Sequence, residues 1–199
     1  MPPKAVEILK RETIYEGFFK LNRVSLRHEL FNGGWSGEME RELFQRDPVV
    51  ALLPYDPVAD AVLLIEQFRL PAHENGMEAW QAEIVAGIVE PGEELEEVAA
   101  REAEEEAGCR PKALEKILTY MPSQGACTEI VTIFAGWIDS RGLGGVHGLD
   151  HEHEDILARV VAYEDAVELL ATGRIQNSPA IIALQWLQLN RDRLRALWR

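Results

Sequence analysis

The segment that most constrains this chain is GIVEPGEELEEVAAREAEEEAGC, residues 87–109. Leu95, Val98, Ala99 and Ala103 fall on one helical stripe and Gly108 is placed to stop it, so a helix is predicted over 93–107. Gly87 lies near the end of a short apolar strand at 82–89, and Pro91–Gly92 turns the chain from that strand into the helix. Glu102, Glu105 and Glu106 stand at i, i+3 and i+4 and therefore share a face. Carboxylates so crowded repel one another unless a cation lies among them. Hard oxygen donors in a cluster suit Mg²⁺, with Mn²⁺ as the alternative. Glu97 precedes Arg101 by four residues, the favourable order for an ion pair on a helix. The bland competing reading is a solvated acidic face, and it is the spacing that decides against it.

Charge supports the same direction. Among 199 residues, 34 are acidic and 20 basic, a net charge of −14. Such a chain is a poor non-specific partner for nucleic acid, whose phosphates need Lys and Arg. Acidic proteins that handle phosphates do so through a divalent metal that reverses the local sign. Hydrophobic residues at 47% exclude disorder as the main state. Two cysteines, Cys109 and Cys127, make no disulfide framework and no CxxC pair, which fits free thiols in a reducing compartment. No apolar run approaches the ~18 residues of a membrane span, and the first residues hold no apolar signal core. A cytoplasmic protein with neither nucleic acid nor membrane as partner is expected.

Along the chain, residues 5–46 alternate apolar and polar letters in three strand-like stretches, with FNGG turning the last two. Denser apolar runs at 49–55 and 61–68 form a buried hairpin about the turn DPVAD. Further strands are expected at 113–121, 129–138 and 156–162, and helices at 163–173 and 178–190. Hairpins with helices interspersed late imply an α+β fold with a mixed sheet rather than a βαβ repeat. Trp80, Trp137 and Trp186 are expected in the core, the histidines His147, His151 and His153 on a solvated loop, and the tail RDRLRALWR on a solvated helix face.

Residues 87–109 fit G-x5-E-x7-R-E-U-x-E-E-x-G-U, with U a bulky apolar residue, and this resembles the Nudix box. Chance would place those seven fixed letters in such a chain about once in 10⁵. Ala103 and Cys109 are smaller than the pattern prefers at U. The resemblance implies a Nudix fold: a mixed β-sheet sandwiched between helices, here with an N-terminal antiparallel β-sheet extension, divided as 1–46 and 47–199. It implies metal ligation by Glu102, Glu106 and the Ala86 carbonyl, with Glu105 a ligand or outer partner. Gly87, Glu93, Arg101 and Gly108 are structural in the motif, Glu93 and Arg101 pairing to hold loop to helix.

From about residue 12 to 198 the chain further resembles the branch of that family that hydrolyses ADP-ribose. The matching pieces include EGFF (16–19), RHELFNGG (27–34), RELFQR (41–46), LLPYDP (52–57), LIEQFR (64–69) and GVHGLDHEHEDI (145–156). This resemblance implies Glu152 as general base and Glu154 as a further metal ligand. Phe18 and Phe19 match the adenine position, and Arg41, Arg46, Arg69, Ser123, Gly125 and Glu129 match substrate contacts, with Glu42 and Ile88 beside them. Where the branch reads S-P-G this chain has Ser123-Gln124-Gly125. The branch is Mg²⁺-dependent, acts on ADP-ribose or a related ADP-sugar, and forms homodimers that exchange their N-terminal sheets. The alternatives are a Nudix hydrolase of another nucleoside diphosphate derivative, such as a nucleotide sugar or dinucleotide, and a module that senses a nucleotide without cleaving it.

Overall fold

The computed structural model describes residues 4–198. In chain order the elements are β1 (Val6–Glu16), β2 (Lys20–His28), β3 (Met39–Gln45), β4 (Val49–Asp56), β5 (Ala61–Phe68), α1 (Leu70–Glu74), β6 (Trp80–Glu83), β7 (Val85–Ile88), α2 (Leu95–Ala107), β8 (Ala113–Tyr120), β9 (Val131–Trp137), β10 (Gly145–His147), β11 (Ile156–Ala162), α3 (Tyr163–Ala171) and α4 (Ser178–Leu197). They form two compact units: residues up to Asp47 with Met121–Ile130, and Pro48–Tyr120 with Val131–Arg199.

The first unit is an antiparallel sheet in the order β1-β2-β3. Met121–Ile130 is tied to β3: the Phe44 N–H donates to the Ala126 carbonyl, Thr128 N–H to Phe44, and the Arg46 N–H to the Thr128 hydroxyl, all within 3.0 Å. Val24 is the buried apolar residue of this unit among those described, and β1 is exposed along its whole length.

The second unit carries the mixed sheet, in the order β10-β11-β5-β4-β9-β8, with β4 and β9 parallel and the other pairs antiparallel. The dense apolar letters of β4 and β5 place both strands between two cores. On one face α3 and α4 pack over Leu53, Tyr55, Val62 and Ile133. On the other α2 packs over Val50, Leu52, Leu63 and Phe134. Buried on both faces, such strands lose the polar alternation of a one-sided sheet.

One detail of the sheet positions everything that follows. β4 and β5 pair at Tyr55–Val62 and Asp56–Ala61 and then part. The apolar stretch read as one strand at 82–89 divides at Ile84, so that β6 pairs with β5 and β7 with β4. β7, with Ala86 and Gly87, thereby comes to lie under α2.

The helix ends have local causes. Gly108 closes α2 in the left-handed conformation at φ 61°. The Asn177 side chain accepts from the Ala180 N–H to cap α4, while its amide donates to the Ala82 carbonyl on β6.

Two expectations fail here. Trp80 is 54% exposed, because it opens β6 at the sheet's rim and stacks edge-on against the similarly exposed Phe68; Trp137 and Trp186, partly buried, do pack against the core, and Trp198 lies within it. α4 runs on to Leu197, and its basic tail is paired rather than solvated: Arg191 grips Asp60 and packs over the Tyr163 ring, while Arg193 holds Glu115. Arg199, the last letter of that tail, lies outside the described residues.

The hairpin turn is held by Asp56, which is 4% exposed. One carboxylate oxygen accepts from the N–H groups of Val58 and Ala59, the other from the Ser140 N–H and hydroxyl, at 2.7–3.0 Å. Burial alone would raise its pKa, but these donors outweigh it and hold the carboxyl below its ordinary value. Asp56→Ala strands four donors and is expected to cost about 2–4 kcal/mol, a fall in Tm of roughly 5–12 °C by thermal melting.

Candidate active site

The helix α2 brings its acids together as the spacing predicts, but Arg101 lies among them. Its guanidinium stands 2.8 Å from Glu102, 3.1 Å from Glu105 and 3.7 Å from Glu93. Glu97 is not a partner: Arg101 points toward the helix C-terminal half and back to the preceding loop. Glu93 also accepts from the Glu90 N–H at 2.8 Å, so it closes the turn before the helix as well as holding Arg101.

Glu106 lies on the apolar stripe with Val98, Ala99, Ala103 and Ala107 and is 4% exposed. Its carboxylate accepts from the Ala86 N–H of β7 at 3.0 Å. Burial, with Glu102 and Glu154 nearby, pushes its pKa up to about 8. Burial also raises Glu102, to about 6, with Glu105 and Glu154 adding and Arg101 opposing. The Glu102 carboxyl packs directly on Gly87, where a Cβ would lie 1.9 Å from its carboxyl carbon and turn that side chain away.

The late loop is registered to this helix. The Gly148 N–H donates to the Glu105 carbonyl at 3.2 Å, and the His147 ring lies against Gly108. Glu154 is half-buried and accepts from the Leu149 N–H at 3.2 Å. Glu152 ends a 3₁₀ turn, Asp150–Glu152, with its side chain 55% exposed, and His153 follows at a positive φ of 57°. Ile88 is at the exposed end of β7, and Arg69 directly follows β5, where the charges of Glu106 and Glu154 reach it.

As the side chains stand, no three His, Cys, Asp or Glu among the described residues close on one point. The reason is visible in their partners: Arg101 holds Glu102 and Glu105, the Ala86 N–H holds Glu106, and the Leu149 N–H holds Glu154. The donor chemistry nonetheless fits a divalent cation. Buried carboxylates whose charge is disfavoured are relieved by one, and oxygen donors match Mg²⁺ or Mn²⁺.

The remaining candidates lie in the first unit. Phe18, 84% exposed, sits edge-on to Phe19 at 4.7 Å, and Phe19 to Phe44 at 5.1 Å. The Arg46 guanidinium lies 4.5 Å above the Phe19 ring and 3.3 Å from Glu129, while Ser123 and Gly125 form the exposed turn before it. Arg41 and Glu42 do not join this group: both are exposed on β3, and Arg41 donates to the Glu40 carbonyl.

One residue beside the site was not anticipated. Glu83, buried on β6, takes Arg69 in a two-point pair at 2.8 and 2.9 Å. A single acid inside the apolar run AEIVAGIV was the available signal.

The model of the NUDIX domain matches residues 45–184. The chain belongs to the Nudix family. An ADP-ribose pyrophosphatase of Escherichia coli (strain K12) is 46% identical over 193 residues, 97% of this chain and 92% of the relative. One of Haemophilus influenzae is 45% identical over 197 residues, 98% and 91%. A GDP-mannose pyrophosphatase of Yersinia enterocolitica is 29% identical over 188 residues, 93% and 96%. The fold matches the crystal structure of an ADP compounds hydrolase with a TM-score of 0.67 at 21% identity, over 96% of both chains. The chain is a Nudix hydrolase with the mixed sheet of that fold and a three-stranded antiparallel sheet before it. Among the described residues no helix is long and apolar enough to cross a membrane.

The raised Glu106 value has a stability consequence. The folded chain holds a proton there that the unfolded chain releases above 4.5, so metal-free stability falls as pH rises from about 4.5 to about 8. Glu106→Gln keeps an acceptor for the Ala86 N–H and removes the charge. Metal-free melting at pH 8 is expected to hold or rise by up to roughly 5 °C, with a flatter pH dependence, while turnover with Mg²⁺ falls by at least about 10²-fold.

Proposed function

We propose that the chain is a Mg²⁺-dependent ADP-ribose pyrophosphatase, which hydrolyses the diphosphate of ADP-ribose to AMP and ribose 5-phosphate in the cytoplasm. The observation that carries this reading is the 46% identity to an ADP-ribose pyrophosphatase across 97% of the chain, against 29% to a GDP-mannose pyrophosphatase. The acids of α2 and the late loop support the chemistry. Glu102, Glu106, Glu154 and the Ala86 carbonyl, with Glu105 beside them, would hold a Mg²⁺ ion, which when bound would offset the diphosphate charge and lower the pKa of water. Glu152 accepts the proton of the attacking water, from a turn whose exposure and glycine-rich approach let it close over substrate. Arg69, Arg46 and Arg41 neutralise the charge of the diphosphate. Phe18 and Phe19 stack on adenine, and Ser123, Gly125, Glu129, Glu42 and Ile88 shape the rest of the pocket.

The assay is AMP release from ADP-ribose with Mg²⁺, with GDP-mannose run in parallel. ADP-ribose is expected to be preferred in kcat/KM by at least about tenfold, and the reverse preference would overturn the reading. Glu152→Gln is expected to lower kcat by roughly 10²–10⁴ with KM little changed. A rise in KM at unchanged kcat instead would make Glu152 a substrate contact.

The same reading includes a homodimer in which the N-terminal sheet of each chain completes the site of its partner. Its support is physical. β1 leaves Val6, Ile8, Leu9, Ile14 and Tyr15 each more than a third exposed in the single chain, and three strands with one buried apolar residue are too few to stand alone. Refolding a Glu106→Gln chain together with an Arg41→Ala chain is the test. Exchanged sites give heterodimers with one unblemished site, so activity returns to about a quarter of wild type. Sites built from one chain give no recovery.

A further inference from the structure

Glu83 has no part in the reaction set out above, yet it is a buried acid whose carboxylate is given over to Arg69. The sheet explains how it meets Arg69. β5 and β6 pair as Ile65–Glu83 through Phe68–Trp80, and the Arg69 N–H donates to the Ala79 carbonyl at 2.8 Å. The arginine backbone is thus fixed one step past the ladder, and its side chain runs back along the strands to Glu83. There Nε donates to one carboxylate oxygen at 2.9 Å and Nη2 to the other at 2.8 Å. Of the five N–H groups of a guanidinium these two bonds occupy two, so three remain, among them both on Nη1.

Two attractions act on that guanidinium. Glu83 holds it at two points on β6, and the charges of Glu106 and Glu154 also reach it. An arginine released from Glu83 has every reason to move onto those two acids, which it would neutralise in place of a metal. A two-point pair resists this because both bonds must break for the fork to turn.

We propose that Glu83 is a positioning residue: it holds Arg69 at the edge of the carboxylate cluster, off Glu106 and Glu154, with the free N–H groups directed to the substrate diphosphate. This rests on Arg69 being a substrate contact, as in the function proposed above. A purely structural role, joining β5 to β6, is the rival account, and the two diverge in a double-mutant cycle.

Glu83→Gln, Arg69→Ala and the double variant are compared, with thermal melts to establish that each is folded. Glu83→Gln is expected to raise KM for ADP-ribose about tenfold with kcat within about threefold of wild type. In the Arg69→Ala background the same change should move KM less than about twofold, because the residue through which it acts is gone. Unchanged KM in Glu83→Gln, or a penalty carried in full into the Arg69→Ala background, overturns the proposal. A second measurement needs no substrate. Mn²⁺ titrated into each protein and followed by electron paramagnetic resonance is expected to bind Glu83→Gln at least about threefold more weakly, with affinity regained in the double variant. Equal affinity in wild type and Glu83→Gln counts against it. A wild-type protein that leaves ADP-ribose intact would sink the substrate reading alone, and the Mn²⁺ titration would then decide the role of Glu83.

Discussion

The seating of α2 on β7 is the contact on which the rest of the site depends. With a hydrogen in place of a side chain at 87, the Glu102 carboxylate lies against β7, where a Cβ would be 1.9 Å from its carbon. At that distance α2 is near enough for Glu106, one turn on, to reach the Ala86 N–H. The late loop is tied to the same helix, because the Gly148 N–H donates to the Glu105 carbonyl. The stripe that seats the helix is built for proximity: Ala99, Ala103 and Ala107 recur at four-residue spacing, with Val98 adding bulk beside them. Small side chains contribute less apolar burial than leucines would, at roughly 0.8 kcal/mol per methylene, but they let the helix axis come close.

The sheet makes that approach possible. Had β4 and β5 stayed paired along their length, no strand could have lain under α2 with a free face beside them. They separate after Asp56–Ala61, and β6 and β7 fill the fork. Asp56 stabilises the closed end of the fork through its four bonds, and the Ile84 side chain, 1% exposed, anchors the bend at the open end. One end of this construction is stiff and apolar, and the other presents β7 to the acidic helix.

How far the sequence foretold this varied with the range of the interaction. β5 and β11 are met within a residue or two of their observed ends, because their dense apolar letters need no partner to be recognised. The acids of α2 were legible because their spacing is contained in one helix. The fork was not: AEIVAGIV reads as one strand, and only pairing with two different neighbours divides it at Ile84. Trp80 and Trp198 changed places in the same way. An apolar ring at a strand end has no burial until the neighbouring elements are placed. Trp198 was obscured by the arginines around it, although Leu187, Leu194 and Trp198 return to one helix face at spacings of seven and four. The expected Glu97–Arg101 pair failed for a related reason. The i,i+4 rule, worth about 0.2–0.5 kcal/mol, offers Arg101 an acid on either side, and it takes Glu105 on the C-terminal side, with Glu102 and the loop acid Glu93 adding to that choice.

The two arginines beside the acidic cluster reveal a common solution to one electrostatic problem. A site able to take a divalent cation must hold several carboxylates close together, and such a cluster attracts any nearby guanidinium. At an effective dielectric near 20, a unit pair at 4 Å is worth about 4 kcal/mol, enough to compete with metal binding. Yet substrate with a diphosphate needs positive side chains close by. Arg101 and Arg69 are each given acids of their own: Arg101 has Glu93 on the preceding loop, and Arg69 has Glu83 on the neighbouring strand. The two tethers differ in grip. Arg101 meets Glu93 at 3.7 Å while also touching Glu102 and Glu105, so it is shared with the cluster. Arg69 is held at two points by an acid whose side chain is 11% exposed, and its pairing lies outside the cluster. On the function proposed here, a shared arginine would yield Glu102 to a stronger cation, whereas a tethered one would stay where it is and keep its free N–H groups for an anion. The distinction follows from where each counter-acid sits, one on the loop that closes over the helix and one on the strand beside it.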